Sequence, residues 1–510
     1  MTTVLFGQSY YLRFDPKEWE AMKPYPPLGT LYAAAYVRER GYDVRLFDAM
    51  LAASEKEWED ALDTHRPDVA VIYEDSFNYL SKMCLTRMRE AAFLMARAAK
   101  ARGCAVLVSG SDATDHKDKY FAHGVDAIIV GEGEITLAEA LDYLSGKLHT
   151  DRTRIPGLAW PDAPNPPPRG YIRNLDQLPF PAWDLVDIAR YRKIWLERHG
   201  YYSMNMVTTR GCPYHCNWCA KPIYGQRYNV RSPENVAAEL RWLKDRYAPD
   251  HIWFADDILG LKPGWIERFA DEVQKLDAVT PFKCLLRVDL IKPGVPEALK
   301  RAGCEIVWVG AESGSQKILD AMDKGTTVEQ IYAATTALHA AGIRVGFFLQ
   351  FGYPGEDRAD IEATLRMVRD CRPDDIGMSV SYPLPGTKFY DRVRQQLGEK
   401  QNWLDSADLA MMYQGPYSTD FYRKLHTVLH KEFRARKIWR ELRPGLRSGQ
   451  PRRPVRRVLH DVAYMAYNWL TLPVERWRLD RLAARSKRGM GPLPQAMTPE
   501  AAATPSAQPD

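Results

Sequence analysis

A chain of 510 residues is too long for one hydrophobic core, so two or three domains are expected. Hydrophobic residues at 45% and charged residues at 26% exclude an intrinsically disordered chain. The net charge of +5 divides unevenly: 19 Lys and Arg against 7 Asp and Glu from Phe421 onward, but 51 against 58 before it, so the basic character belongs to the C-terminal part alone.

The opening run Met1-Thr-Thr-Val-Leu-Phe-Gly has neither a basic segment nor a long apolar one, and no secretory signal is expected. Thr3-Val-Leu-Phe reads as a strand and Gly29 to Arg40 as a helix stopped at Gly41. Asp43 to Phe47 is the next strand, Glu57 to Thr64 a helix, and Asp68 to Tyr73 a third strand. A long helix is expected from Leu80 to Arg102, then a strand from Ala105, a helix near Lys119, the strand Ala127-Ile-Ile-Val and a helix from Ile135. This alternation predicts a doubly wound, Rossmann-like parallel sheet over residues 1–148. Its ligands would lie beyond the strand C-termini, at Gln8-Ser9, Glu74-Asp75-Ser76, Ser109-Gly110-Ser111 and Gly131-Glu132-Gly133-Glu134.

Residues 149–202 are Pro-rich and read as a linker, with ordered packing around Pro179-Phe-Pro-Ala-Trp183. From 203 to 392 six strand-like runs begin at Asn205, His251, Phe282, Glu305, Val345 and Ile376, each trailed by a helical stretch. They predict a partial (β/α)6 barrel of the TIM type, with its site at the strand C-terminal ends. The fold class is therefore α/β. Residues 393–488 read as a helical, basic C-terminal region and 489–510 as a disordered tail. The most apolar stretch there, Val462 to Val474, is interrupted by Asn468 and Pro473 and falls short of the ~20 residues of a spanning helix.

Eight cysteines are present, three within positions 212–219 and five scattered at Cys84, Cys104, Cys284, Cys304 and Cys371. That is no disulfide framework; it fits a reducing, cytoplasmic compartment and one metal site. The triad stands in Thr208-Thr-Arg-Gly-Cys212-Pro-Tyr-His-Cys216-Asn-Trp-Cys219, just after the first barrel strand. Thiolates select iron–sulfur clusters, zinc or copper. Structural zinc takes four closed ligands, and the fourth would have to be His215, whose adjacency to Cys216 strains a tetrahedral wrap. Three cysteines on a four-iron cluster instead leave one iron open to a substrate.

Cys-x3-Cys-x2-Cys with Trp218 before the last cysteine resembles the radical S-adenosylmethionine (SAM) signature, and the N-terminal half is similar to the cobalamin-binding branch of that superfamily. The resemblance spans about residues 1–395. It implies a [4Fe–4S] cluster on Cys212, Cys216 and Cys219 whose open iron is chelated by SAM, and whose electron cleaves SAM to methionine and a 5′-deoxyadenosyl radical. Val309-Gly-Ala-Glu312-Ser313-Gly-Ser315 and Gly352-Tyr-Pro-Gly355-Glu356 look like the segments that bracket SAM. By that likeness Glu312 or Ser313 meets its ribose or amino group, Gly352 and Gly355 let backbone approach the adenosine, Arg287 meets the carboxylate, and Trp218 lines the site. The second strand ends in Ala255-Asp256-Asp257 rather than Gly-Gly-Glu. Asp256 or Asp257 there either holds the SAM ammonium or N-caps the next helix.

Pro26-Pro-Leu-Gly-Thr-Leu-Tyr, Ser109-Gly-Ser-Asp-Ala-Thr and Gly131-Glu-Gly-Glu resemble the cobalamin-binding module. On residues alone the sheet is of a nucleotide-binding or a cobalamin-binding type. The resemblance selects cobalamin, on Gln8, Ser9, Glu74, Asp75, Ser109, Gly110, Ser111, Gly131, Glu132 and Gly133. Asp-x-His-x-x-Gly is absent: Asp63-Thr-His65-Arg-Pro-Asp68 lacks the glycine and precedes the third strand. The likeness then implies a cobalt without a protein histidine below it.

The activity so implied is methylation of an unactivated carbon by way of the 5′-deoxyadenosyl radical and methylcobalamin, with a second SAM restoring the methyl group. Two other outcomes stand beside it. One is oxidation or cyclisation, as in enzymes resembling the anaerobic magnesium-protoporphyrin monomethyl ester cyclase; the other is a non-catalytic cobalamin-binding sensor. An RNA methylthiotransferase would need three further cluster cysteines in the N-terminal domain. Expected partners are a small-molecule or lipidic substrate and an electron donor such as flavodoxin or ferredoxin. The basic runs Phe421–Arg443 and Val455–Leu482 read as solvated helices over the barrel mouth or as a peripheral contact with the inner membrane surface, and nucleic acid is not expected.

Overall fold

The computed structural model describes residues 2–448 and 455–489, which divide into two compact units at Gly415/Pro416. The first unit holds both predicted sheets. Its N-terminal sheet is built from β1 (Thr3–Gly7), β2 (Asp43–Leu46), β3 (Val69–Tyr73), β4 (Ala105–Ser109), β5 (Ala127–Ile129) and β6 (Leu158–Ala159), in the order β2-β1-β3-β4-β5-β6. The first five strands are parallel, with Val4 opposite Val69 and Ile72 opposite Val108. These strands are buried on both faces, which is why they read as unbroken Val/Ile/Leu runs. The order reverses between β1 and β3, and that switch point opens a crevice at Gln8-Ser9 and Glu74-Asp75.

Leu158 and Ala159 were expected in a linker. They instead form β6, antiparallel to β5, because the Pro-rich turn folds back and Leu158 and Trp160 bury into the sheet core. The rest of that segment is equally built in: Ile188–His199 is a helix, and Trp183 and Trp195 are fully buried.

The long helix expected from Leu80 to Arg102 is broken. Tyr79–Lys82 is one short helix, capped by Asn78, and Thr86–Ala101 is another. Between them Cys84 takes φ of +53°, and the freed Thr86 N–H donates to the Trp403 carbonyl at 2.9 Å. Cys84 thus lies in a left-handed break rather than in a helix. The sequence reading also passed over a helix at Ser111–Asp115.

The second sheet contains β7 (Ser203–Met206), then β10 (His251–Phe254), β11 (Phe282–Leu286), β12 (Cys304–Glu312), β13 (Arg344–Phe351) and β14 (Asp375–Val380). All are parallel in the order β14-β13-β12-β11-β10-β7, and β8 (Thr209–Arg210) with β9 (Asn229–Val230) forms a separate hairpin beside the first strand. Phe254 and Phe282 pack edge-on against Phe269 of the helix Trp265–Lys275, so alternate residues face the helices. Trp253, Lys283 and Trp308 are on the opposite parity and face the barrel interior.

Residues 397–415 are not part of a helical region. They pack on the first unit, where Ser406 Oγ donates to Asp15 at 2.6 Å and Arg89 Nη2 donates to Asn402 at 3.0 Å. The second unit is the antiparallel pair of helices Thr419–Ser448 and Val455–Gly489, joined by ion pairs such as Lys424–Glu475 and Arg476–Glu432, both 2.6 Å. Among the described residues no helix is long and apolar enough to cross a membrane. The tail expected to be disordered lies, from residue 490 on, outside the described residues.

One ion-pair group locks the two sheets together. Arg210, on β8, reaches Glu132 and Glu134 beyond β5 at 2.6 Å each, with all three side chains almost wholly buried. The rings of Tyr32, Phe77 and Tyr224 stand within 6 Å of the guanidinium. Deleting the cation leaves two carboxylates buried and unpaired. Arg210→Met should therefore lower unfolding free energy by about 3–5 kcal/mol, read from urea denaturation. A wild-type midpoint would show that the lock contributes nothing.

Candidate functional site

The cysteine loop leaves β7 under tight control. Asp256, just beyond β10, accepts the Thr208 and Thr209 N–H groups at 2.7 Å each and both threonine hydroxyls at 3.0 and 2.9 Å. Burial pushes its carboxyl up to about 6, partly offset by those four donors. The N-cap of the following helix is Gly264. Asp256 is therefore not the N-cap; its oxygens fix the strand that feeds the triad. Asp257 pairs with Lys82 Nζ at 2.5 Å, joining the helix Tyr79–Lys82 to the end of β10.

Gly211 then turns the chain at φ of +80°. A Cβ there would stand 2.5 Å from the Arg227 carbonyl oxygen, so only glycine fits. Asn217 pins the middle of the loop: its N–H donates to Met322 O (3.0 Å), its amide donates to Ala321 O (2.8 Å), and its amide oxygen accepts the Tyr353 hydroxyl (2.8 Å). Lys221 Nζ donates to Tyr214 O at 2.7 Å, and Arg287 stacks on the Tyr214 ring at 3.6 Å.

The loop is thus held at Thr208, Thr209, Tyr214 and Asn217, while the thiols of Cys212, Cys216 and Cys219 are half-buried and in no disulfide. Burial pushes the Cys219 thiol up to about 12, and the other two thiols add to the effect. The three sense one another, yet among the described residues no three His, Cys, Asp or Glu side chains gather as ligands of one ion would. His215 is exposed. Cysteines of a cube each hold a different iron and stand further apart than ligands of one zinc, so the triad suits a cluster better than a zinc completed by His215.

The other residues expected around SAM divide into two groups. Arg287 forms a two-pronged pair with Asp289 (3.0 and 3.1 Å), donates to Lys324 O at 2.9 Å and lies 3.9 Å from Cys216 Sγ. Lys324 in turn meets Glu312 at 2.8 Å, where β12 ends on a residue with φ of +55°. Gly310 makes room for that pair, since a Cβ there would be 2.6 Å from both charged atoms. Trp218 packs on Ile318, Met322, Tyr353 and Phe389, and its Nε1 is buried without a partner among the described residues. Gly352 (φ +81°) donates its N–H to Glu356 at 2.8 Å, and Gly355 (φ +88°) has open space where a side chain would stand. Of these, Arg287 reaches the loop directly, and the Lys324–Glu312 pair is tied to Arg287 through the Lys324 carbonyl. Ser313 bonds elsewhere: it is fully buried, its hydroxyl bonded to Thr364 (3.2 Å) and accepting the Ser315 N–H (3.1 Å).

At the crevice of the N-terminal sheet, Ser9 N–H donates to both oxygens of Glu74 (3.1 and 3.2 Å). Burial pushes the Glu74 carboxyl up to about 7. Gln8 accepts the Tyr10 N–H at 2.7 Å and leaves its amide nitrogen buried with no partner among the described residues. Asp75 holds Gly29 N–H at 2.9 Å. Ser109 and Ser111 are buried beside Gly110, where a Cβ would strike Glu74 at 2.8 Å. Gly131 (φ +80°) and Gly133 complete the rim, the latter against the Tyr73 hydroxyl. The Glu132 carboxylate accepts from Arg210 and from the Ile172 N–H.

Tyr79 was not foreseen. It is 57% exposed, yet burial by surrounding protein, then Cys219 and Glu312, raises its hydroxyl pKa. The expected continuous helix hid it; the Asn78 cap was the readable signal.

Residues 206–368 match the Radical SAM superfamily, and residues 20–141 match the B12 binding domain family. An uncharacterized methyltransferase of Pyrococcus horikoshii is 28% identical, covering 74% of this chain and 81% of that protein. The hopanoid C-3 methylase of Methylococcus capsulatus is 26% identical over 80% of this chain and 76% of its own. The anaerobic magnesium-protoporphyrin IX monomethyl ester cyclase of Rubrivivax gelatinosus is 27% identical over 75% and 68%. The fold is shared with the radical SAM methyltransferase TsrM of Kitasatospora setae, solved with tryptophan and a SAM analog (TM-score 0.64, 16% identity, 78% of this chain and 77% of that one).

Gly211→Ala tests the loop directly. Most of the iron taken up on anaerobic reconstitution should be lost while the circular dichroism stays that of the wild type; full iron content would show that the turn is dispensable.

Proposed function

We propose that this chain, which belongs to the cobalamin-binding radical SAM enzymes, methylates an unactivated carbon. The observation that carries the reading is the triad: three thiols on a loop anchored through Asp256 and Asn217, beside a crevice of the type that takes cobalamin. Cys212, Cys216 and Cys219 would hold a [4Fe–4S] cluster through three irons. Arg287, Glu312 with Lys324, Trp218, Gly352 and Gly355 would surround SAM. Gln8, Ser9, Glu74, Asp75, Ser109, Gly110, Ser111, Gly131 and Gly133 would line cobalamin. Asp256, Ser313 and Glu132 act as positioning residues that hold these groups in place. When bound, the cofactors supply reductive cleavage of SAM to a 5′-deoxyadenosyl radical and a transferable methyl group. The chain's own part is to orient. Arg287, anchored by Asp289, presents its remaining N–H beside Cys216, and the open backbone at Gly355 admits a ligand against the strand ends. The electron would come from a flavodoxin or ferredoxin.

The cyclase among the relatives supports a second outcome, oxidation or ring formation on the same machinery. Product analysis separates them. Methylation requires S-adenosylhomocysteine together with 5′-deoxyadenosine, and 5′-deoxyadenosine alone would favour the oxidative reading. Cys216→Ala should abolish SAM cleavage; an unaltered biological function in that variant would favour a cobalamin-binding sensor.

The reading extends to location. In the helix Val455–Gly489, Leu459, Leu470 and Trp477 are spaced 11 and 7 residues apart and so share one face, while Asn468, Leu472 and Leu479 bury the opposite face. The exposed stripe, joined by Val462 and Val474, runs about 27 Å and has arginines at both ends. That pattern suits a helix lying at the inner membrane surface. The protein should sediment with phosphatidylglycerol vesicles at low salt, less so at high salt, and Leu470→Glu should weaken the association. Absence of sedimentation would remove the membrane from the reading.

A further inference from the structure

The barrel interior is shaped for one class of ligand. On β12 and β13 two large rings, Trp308 and Phe348, lie 4.8 Å apart and only 30° from parallel. Each is flat against the neighbouring strand because that strand carries a glycine opposite it. A Cβ on Gly346 would sit 2.4 Å from Trp308, and one on Gly377 would be 3.5 Å from Phe348. Pairing places Trp308 beside Gly346 and Phe348 beside Gly377. Glycine weakens a strand, so two of them under two rings make a shelf at a cost in intrinsic stability. The shelf is not covered: Phe348 is 40% exposed, although it faces the interior.

At the far end of the same wall stands Lys283. Its ammonium lies 4.6 Å from the Trp253 ring and 5.2 Å from the Tyr25 ring, and it has no carboxylate or hydrogen-bond partner among the described residues. Burial, with Lys23 adding repulsion and Glu18 opposing it, lowers its pKa to about 7, as befits a cation without a counter-ion. Lys283 and Leu285 share one face of β11, and Arg287, the extended residue that follows it, continues the alternation. Four residues of strand separate the Lys283 level from Arg287, which reaches Cys216, a span of about 13 Å. One interior level lies between: it carries Leu285, Trp308 and Gly346, while Ile306 is level with Lys283, and Gly310 and Phe348 stand one level nearer the strand ends.

We propose that the barrel interior binds a substrate with a flat, apolar body about 13 Å long that ends in one anionic group, carboxylate or phosphate, held by Lys283. The rings of Trp308 and Phe348 take the flat body, and the reacting carbon lies at the opposite end, under the cysteine loop. This names the substrate class for the site in the proposed function, and rests on that reading only for where the reaction occurs.

The test is equilibrium dialysis of the reconstituted holoenzyme with anthracene-2-carboxylate and with its neutral carboxamide. The carboxylate should bind about tenfold tighter, the scale of one charge-assisted hydrogen bond. Lys283→Met should abolish the preference, and Lys283→Arg should keep it. Phe348→Ala should weaken both probes equally. Equal binding of the two probes, a preference that survives Lys283→Met, or no binding of either overturns the proposal. Iron and cobalamin content, measured on each variant, shows that it is folded and loaded. SAM cleavage without substrate reports separately on the proposed function, so a failure of one reading is distinguishable from a failure of the other.

Discussion

Arg210 is the joint between the two halves of the site. Its guanidinium leaves the barrel two residues ahead of Cys212 and divides between Glu132 and Glu134 on the rim of the other sheet. Three charges that have lost their water contribute little net stability, since attraction is largely offset by desolvation. What the group enforces is one relative placement. Any slide of the sheets would leave a carboxylate buried and unpaired, and the surrounding rings keep water from relieving it. Lys82 with Asp257 is a second, more exposed ion pair between the two halves. The crevice at Gln8 and Glu74 and the cysteine loop therefore keep a fixed separation, which two cofactors acting on one substrate would need.

Within that frame the polar groups are divided between holding and binding. Asp256, Asn217 and Ser313 spend their donors and acceptors on the protein itself, and their partners are the backbone segments that carry the triad and the β12 turn. Trp218 Nε1 and Gln8 Nε2 are buried without partners among the described residues, and Gly355 fronts open space. A buried donor left unsatisfied costs about 1–3 kcal/mol, so two such donors, one beside the triad and one at the crevice, favour bound groups that complete them.

Most strand positions were legible because alternation and length separate strands from helices, and five of the six barrel strands begin within one residue of the expected position. The triad was legible because thiol spacing carries its chemistry in the sequence. Contacts between distant segments were not. Nothing local shows that Cys84 breaks a helix, since the break is stabilised by Trp403, more than 300 residues on. Pro-rich composition suggested a linker, yet Leu158 and Trp160 had a sheet edge to bury against. Asp256 and Asp257 are adjacent and chemically alike; only the fold separates the one that holds Thr208 and Thr209 from the one that meets Lys82. Gly346 and Gly377 look like weak points in strands until the rings lying on them are seen.

The interior layer itself bears on what chemistry suits this barrel. On β11, β12 and β13 the level above Lys283 carries Leu285, Trp308 and Gly346, with Gly310 and Phe348 one level further on, none of which can give or take a proton near neutral pH. A hydrolase or isomerase needs an acid or base within hydrogen-bond reach of the reacting atoms. Substrate lying on this shelf would find steric definition and no proton relay. Such a wall suits a reaction whose reactive species is delivered from the strand ends and attacks a carbon–hydrogen bond, where the protein's task is to hold one carbon in place and to offer the radical no other partner.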